Sequence, residues 1–111
     1  MKVIYVAGPF RADTPWEQEQ NVRVAEEYAL KLWKMGAAVI CPHAMTRFYQ
    51  DSLPDDTFLA GDFEILRRCD AIFLLPYWQN STGTLQELQV ADQANVRKLY
   101  SLPEAQEFLD A

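Results

Sequence analysis

Histidine is nearly absent from this sequence: His43 stands alone, and cysteine occurs only at Cys41 and Cys69, with no Cys-x-x-Cys pair. A single chain so equipped cannot assemble the usual structural zinc ligand sets, so no metal is expected, and each thiol is expected to be reduced and buried. Long apolar runs are missing too. Every hydrophobic stretch falls far short of the ~20 residues that cross a bilayer. The start, Met1-Lys2-Val3-Ile4-Tyr5, has one positive charge and enters a strand pattern that breaks at Gly8-Pro9, so no secretory leader is expected. A soluble, cytoplasmic protein with no membrane partner is expected. Basic residues are outnumbered, ten Lys and Arg against sixteen Asp and Glu, for a formal net charge of −6. Binding to polymer DNA or RNA is therefore not expected, because neutralising a row of phosphates needs clustered cations. A mononucleotide stays open, since one phosphate needs only a few N–H donors and an arginine.

What is present is the composition of a globular protein, 50% hydrophobic and 23% charged in 111 residues, with no internal repeat and no low-complexity segment. One domain spanning residues 1–111 is expected, large enough to bury roughly two thirds of the surface of its unfolded chain. Residues 2–7 read as a strand, an uninterrupted β-prone run ended by Gly8-Pro9. Thr14-Pro15-Trp16-Glu17 supplies a cap, a proline at the first helical position and an acid in the first turn. Val22, Ala25, Ala29, Leu32 and Trp33 then recur at helical spacing up to a stop at Gly36. Residues 37–41 form a short apolar strand. From Pro42 to Pro54 no period is sustained, which reads as a loop with at most a helical turn. A helix is expected over 56–68 with Leu59, Phe63 and Leu66 on its inner face, then a strand over 70–75, a helix over 84–94, a strand within 96–102 and a short last helix entered through Pro103. Strand and helix alternate. That order calls for a parallel sheet covered on both faces, a flavodoxin- or Rossmann-like three-layer α/β/α fold with strand order 2-1-3-4. In this order the loops after strands 1 and 3 flank one crevice, where open α/β sheets bind ligands.

The stretch Ser81-Thr82-Gly83-Thr84-Leu85-Gln86-Glu87 therefore holds most interest. Ser81 and the N–H groups around Gly83 would face an incoming anion, with Glu87 about a turn further on. Thr84 and Glu87 also have the spacing of a capping box, in which the glutamate merely satisfies helix-end N–H groups. Asp62 lies three residues after Leu59 and four before Leu66, on an inward stripe, where an unpaired carboxylate is costly unless a partner or ligand is near. A cap on a broken helix is the alternative for it.

Tyr5-Val6-Ala7-Gly8-Pro9-Phe10-Arg11, Asp62 with Asp70, and Ser81-x-Gly83-x-x-x-Glu87 together resemble the nucleoside 2-deoxyribosyltransferase superfamily. Within it, the chain is similar to the deoxynucleoside 5′-monophosphate N-glycosidases and to small phage and bacterial proteins of unassigned function. The resemblance implies that Glu87 attacks the anomeric carbon of a deoxyribosyl group, with the helix dipole favouring its charged form, and that Asp62 handles the proton of the leaving base. It implies that the Tyr5 hydroxyl approaches the nucleophile; a core tyrosine is the alternative. Asp70 is expected to pair with an arginine or cap a turn. The nucleoside-using transferases carry aspartate where this chain has Ser81 and the monophosphate-using glycosidases carry serine, so Ser81 points to a 5′-nucleotide. Gly8, Pro9, Phe10, Arg11 and Gly83 would complete the substrate site, with Asn21 and His43 pointing into the same crevice and Trp78 available to stack on a base. Each has a structural alternative: Arg11 as a solvated charge, His43 as a hydrogen-bonded residue at a strand end, Trp78 as packing.

Pro9, which offers no N–H, departs from the glycosidases' first loop, which is richer in glycine and serine. The reading from sequence is therefore hydrolysis, with transfer as the lesser option, at the N-glycosidic bond of a deoxyribonucleoside 5′-monophosphate. No cofactor is implied, and the partners are a small nucleotide or nucleoside and a second copy in a homodimer or higher homo-oligomer. Two alternatives stand beside it: a binding module or regulator without turnover, and a scaffold in which Glu87 only caps its helix.

Overall fold

A computed structural model of the chain describes residues 1–49 and 51–111. The elements, in order, are β1 (Val3–Ala7), α1 (Pro15–Lys34), β2 (Ala38–Ile40), α2 (Pro42–Met45), α3 (Asp55–Arg67), β3 (Ala71–Leu74), a 3-10 turn (Trp78–Asn80), α4 (Thr82–Gln93), β4 (Arg97–Leu99) and α5 (Leu102–Asp110). The four strands form one parallel sheet in the order β2-β1-β3-β4, as the alternation required. β1 and β3 lie at its centre, paired from Ile4 opposite Ala71 to Ala7 opposite Leu74.

Side chains of a strand alternate between its faces, and here both faces are buried. Ile4, Val6 and Phe73 pack with Ala25, Ala29 and Leu32 of α1 and Ala105 of α5 on one side. Tyr5, Ala7, Ile72 and Leu74 pack with Leu66 of α3 and with Val90 and Ala91 of α4 on the other. This is the three-layer arrangement. Trp33 departs from the expected inward stripe of α1: it is 53% exposed, and Leu32 alone of that pair enters the core.

Local chemistry sets the helix ends. Thr14 accepts the Glu17 N–H at 3.2 Å through its hydroxyl with Pro15 opening α1, and Gly36 closes it at φ +100°, a left-handed conformation that glycine adopts without strain. The segment after β2 holds one helical turn, α2, as expected; Gln50 of that loop lies outside the described residues. α4 starts two residues earlier than its sequence pattern indicated. Ser81 is its N-cap, accepting the Thr84 N–H at 3.2 Å, so Glu87 is the sixth residue of the helix and no Thr84–Glu87 capping box exists. Among the described residues Asp70 has no arginine partner: its carboxylate accepts the Val3 N–H at 2.7 Å, fastening the start of β1 to the segment before β3.

Gly8 marks the closest approach at the carboxyl end of the sheet. A Cβ there would sit 2.6 Å from Leu75 Cβ, so only glycine lets the chain leaving β1 pass the end of β3. That passage opens the crevice between the two loops. Among the described residues, no helix is long and apolar enough to cross a membrane.

Candidate active site

A cavity of about 490 Å³ occupies that crevice. Four segments wall it: Gly8 to Arg11 after β1, Pro42, His43 and Thr46 at α2, one face of α3, and residues 80–84 with Gln86 and Glu87 at the start of α4. The sequence expectation that the β1 and β3 loops converge is met by Gly8, Pro9, Phe10, Arg11, His43, Asp62, Ser81, Gly83 and Glu87, which all line it.

Glu87 is only 9% exposed. It reaches inward because α4 packs Val90 and Ala91 against the sheet, and Glu87, three residues before Val90, shares that inner face close to the cavity end. The hydroxyl of fully buried Tyr5, on β1, donates to Glu87 Oε2. Burial pushes the Glu87 carboxyl up to about 7; the Tyr5 hydrogen bond opposes this and the nearby charge of Asp62 adds to it. The expectation that Glu87 sits where the helix dipole favours its charged form is thus corrected. Glu87 lies beyond the first turn, where the dipole field has fallen off, and desolvation dominates. Asp62, reaching the cavity from α3, is raised by burial to about 6. Burial, then the negative charges of Glu87 and Asp62, raise Tyr5 far above the ordinary phenol range, so it keeps its proton and donates a hydrogen bond to Glu87.

At the start of α4, the Ser81 hydroxyl oxygen accepts both the Thr84 N–H and the Thr84 hydroxyl, the latter at 2.9 Å, and retains its own proton for a further acceptor. The Thr82 and Gly83 N–H groups stand in the first turn of α4, where no carbonyl of the same helix can receive them. A Cβ at Gly83 would meet no protein atom within 4 Å, so glycine leaves this end of the helix uncovered.

His43 and Asn21 act on the β1 loop. His43 Nε2 donates to the carbonyls of Pro9 at 2.9 Å and Gly8 at 3.1 Å, which fixes the neutral tautomer with the proton on Nε2. Its Nδ1 is buried and has no hydrogen-bond partner among the described residues, and burial lowers the pKa of the imidazole. The Asn21 amide donates to the Phe10 carbonyl at 3.1 Å and does not line the cavity, so the expectation that it faces the crevice is corrected: it anchors the loop from α1. Trp78 is likewise displaced from its expected place. It packs on the core beneath α4 and against the Tyr100 ring, 5.8 Å between centroids, outside the cavity wall. The ring available inside is Phe10, edge-on to His43 at 5.6 Å, together with Phe58.

Phe58 belongs to a part of the site that the sequence reading missed. Asp55, Phe58, Leu59 and Asp62 of α3 all line the cavity. Their spacing, i, i+3, i+4 and i+7, is one helical stripe, and a second inward face on this helix was the readable signal. Arg11 and Asp55 form an ion pair between the β1 loop and the start of α3. Both cysteines are free; Cys69 donates to the Ile65 carbonyl and burial raises it to about 11. Among the described residues, no three His, Cys, Asp or Glu side chains gather in a metal-holding group.

This architecture is shared with a nucleoside-processing enzyme. The 2-deoxyribosyltransferase of Bacillus psychrosaccharolyticus, a biocatalyst for the synthesis of antiviral and antitumoral nucleosides, superposes with a TM-score of 0.58 at 24% identity, over 86% of this chain and 69% of that one. The likeness establishes the fold, a deoxyribosyltransferase-type α/β/α domain. A family model described as "Domain of unknown function (DUF7768)" matches residues 2–101, and the chain belongs to that family. No curated protein matches it.

Proposed function

We propose that this protein hydrolyses the N-glycosidic bond of a deoxyribonucleoside 5′-monophosphate, with Glu87 as nucleophile. The observation that carries the reading is the Tyr5–Glu87–Asp62 constellation: two carboxyl groups that both line the cavity and interact electrostatically, and a buried phenol that donates to Glu87. In the first step the Glu87 carboxylate forms a bond to C1′ as the bond from C1′ to the base nitrogen breaks. The electron pair leaves with the base, and protonated Asp62 supplies its proton. Tyr5 holds the unreacting oxygen of Glu87 in place. In the second step water attacks C1′, gives a proton to Asp62, and Glu87 departs as carboxylate.

The near-neutral pKa values bear directly on this. With Glu87 at about 7 and Asp62 at about 6, both titrate within the physiological range and the pair with one proton keeps it mainly on Glu87. The reactive form, with Glu87 ionised and Asp62 protonated, is therefore the minor one, and the mechanism requires bound substrate to shift the proton to Asp62. The Ser81 hydroxyl and the first N–H groups of α4 would receive the phosphate, aided by Arg11. Phe10 and Phe58 offer ring surface for a base. Self-association into a homodimer belongs to the same reading.

A binding module without turnover is the second reading. It is favoured by the β1 loop, where Pro9 has no N–H and the carbonyls of residues 8 to 10 are tied to His43 and Asn21. Incubation with each of the four deoxynucleoside 5′-monophosphates, followed by chromatography for free base, separates the two. Base release by wild type and not by Glu87→Gln supports the enzyme; saturable binding with no base release contradicts it.

A further inference from the structure

We infer that Asp55 sets the charge preference of the cavity by competing with the anionic end of a ligand for Arg11. Among the described residues that wall the cavity, Arg11 is the only guanidinium or ammonium group, whereas Asp55, Asp62 and Glu87 contribute three carboxyls. That one cation is already paired, with Asp55. The partners come from different walls, the β1 loop and the first residue of α3, so the pair bridges the cavity rim.

The geometry favours exchange of partners over a fixed structural bridge. The loop backbone next to Arg11 is held by the Asn21 amide on Phe10 and by His43 on Pro9, whereas the Arg11 and Asp55 side chains are 69% and 68% exposed. The guanidinium can therefore swing from a fixed root. A solvated pair of this kind is weak, so a phosphate reached bidentately by Arg11 displaces the carboxylate at small cost, and Asp55 then stands near the anion as a repelling charge. A neutral deoxynucleoside makes no such demand and leaves the pair closed. Asp55 thus disfavours phosphorylated ligands relative to neutral ones. Its removal widens the preference for the phosphorylated form.

This inference rests on the proposal that the ligand is a nucleotide, and its test reads binding so as not to depend on turnover. In a Glu87→Gln background, titration calorimetry with each deoxynucleoside 5′-monophosphate and its matching deoxynucleoside is compared for Asp55→Asn, Arg11→Ala and the double substitution. Asp55→Asn is expected to tighten monophosphate binding about three- to tenfold at low salt. The deoxynucleosides should be unaffected, the gain should vanish when Arg11 is alanine, and it should shrink as salt screens the exposed charges. Equal gains for monophosphate and nucleoside, a gain that survives without Arg11, no gain, or no monophosphate binding to any variant would overturn it. Failure of the Glu87-intact protein to release base, with these differences present, would contradict hydrolysis alone.

Discussion

Replacing Glu87 with glutamine should stabilise the fold, and more so as pH rises. The folded carboxyl holds its proton up to about 7 against an ordinary value of 4.5, because it is 9% exposed and burial outweighs the Tyr5 hydrogen bond. A carboxyl whose pKa is raised by folding contributes stability that is complete below about 4.5, is lost progressively between 4.5 and 7, and is gone above. At about 1.4 kcal/mol for each pH unit between the two values, wild type forfeits about 3 kcal/mol by pH 8. Glutamine has nearly the same shape, can still accept from Tyr5, and never ionises. Its advantage over wild type should thus grow from about 1 kcal/mol at pH 5 to about 3 kcal/mol at pH 8 and then level off. Urea unfolding of both proteins at several pH values measures this, and the background of titrating groups that do not interact with Glu87 cancels in the difference. A difference that does not change with pH would refute the reasoning. So would a mutant less stable by ~1 kcal/mol throughout, the outcome for a glutamate that merely caps a helix.

Tyr5→Phe removes the one interaction that lowers the Glu87 pKa, so that carboxyl should titrate above about 7, measured by carbon-13 NMR of the labelled side chain; an unchanged midpoint would detach Tyr5 from it. Asp62→Asn removes a charge that raises Glu87 and should move its titration below about 7. The same substitution should slow base release by about 10²-fold or more, read by chromatography at pH 6.5. Gly8→Ala places a methyl 2.6 Å from Leu75 Cβ and should destabilise the fold by about 1–3 kcal/mol in urea unfolding, whereas Gly83→Ala, with nothing within 4 Å, should not.

The topology was legible because β1, β2 and β3 are apolar runs and α1 carries its own punctuation. Thr14-Pro15 and Gly36 bracket α1 where the sequence placed them, and the alternation of elements left little choice but strand order 2-1-3-4. The start of α4 was ambiguous. Ser81 with Thr84 and Thr84 with Glu87 are overlapping capping patterns three residues apart, and sequence alone does not decide which serves. The choice matters, because starting at Thr82 moves Glu87 out of the first turn and into a wall where burial governs its charge. Half of the cavity followed from the switch point between β1 and β3. Of the α3 half only Asp62 did, because the aperiodic segment before it hid the angle at which α3 returns, and so Phe58 and Asp55 were not seen as wall residues. Trp78 and Asn21 were misplaced for a related reason: a loop aromatic or an amide near a helix start has no periodicity that distinguishes facing a ligand from bracing the backbone.

The most direct test is the mass of the Glu87 peptide after the protein is mixed with a deoxynucleoside 5′-monophosphate carrying fluorine at C2′, which slows release of a glycosyl ester, and then quenched in acid. The expected result is one sugar phosphate unit per chain, mapped to Glu87, with the base released in equal amount. Base release with no adduct, or an adduct on any other residue, would contradict Glu87 as the nucleophile.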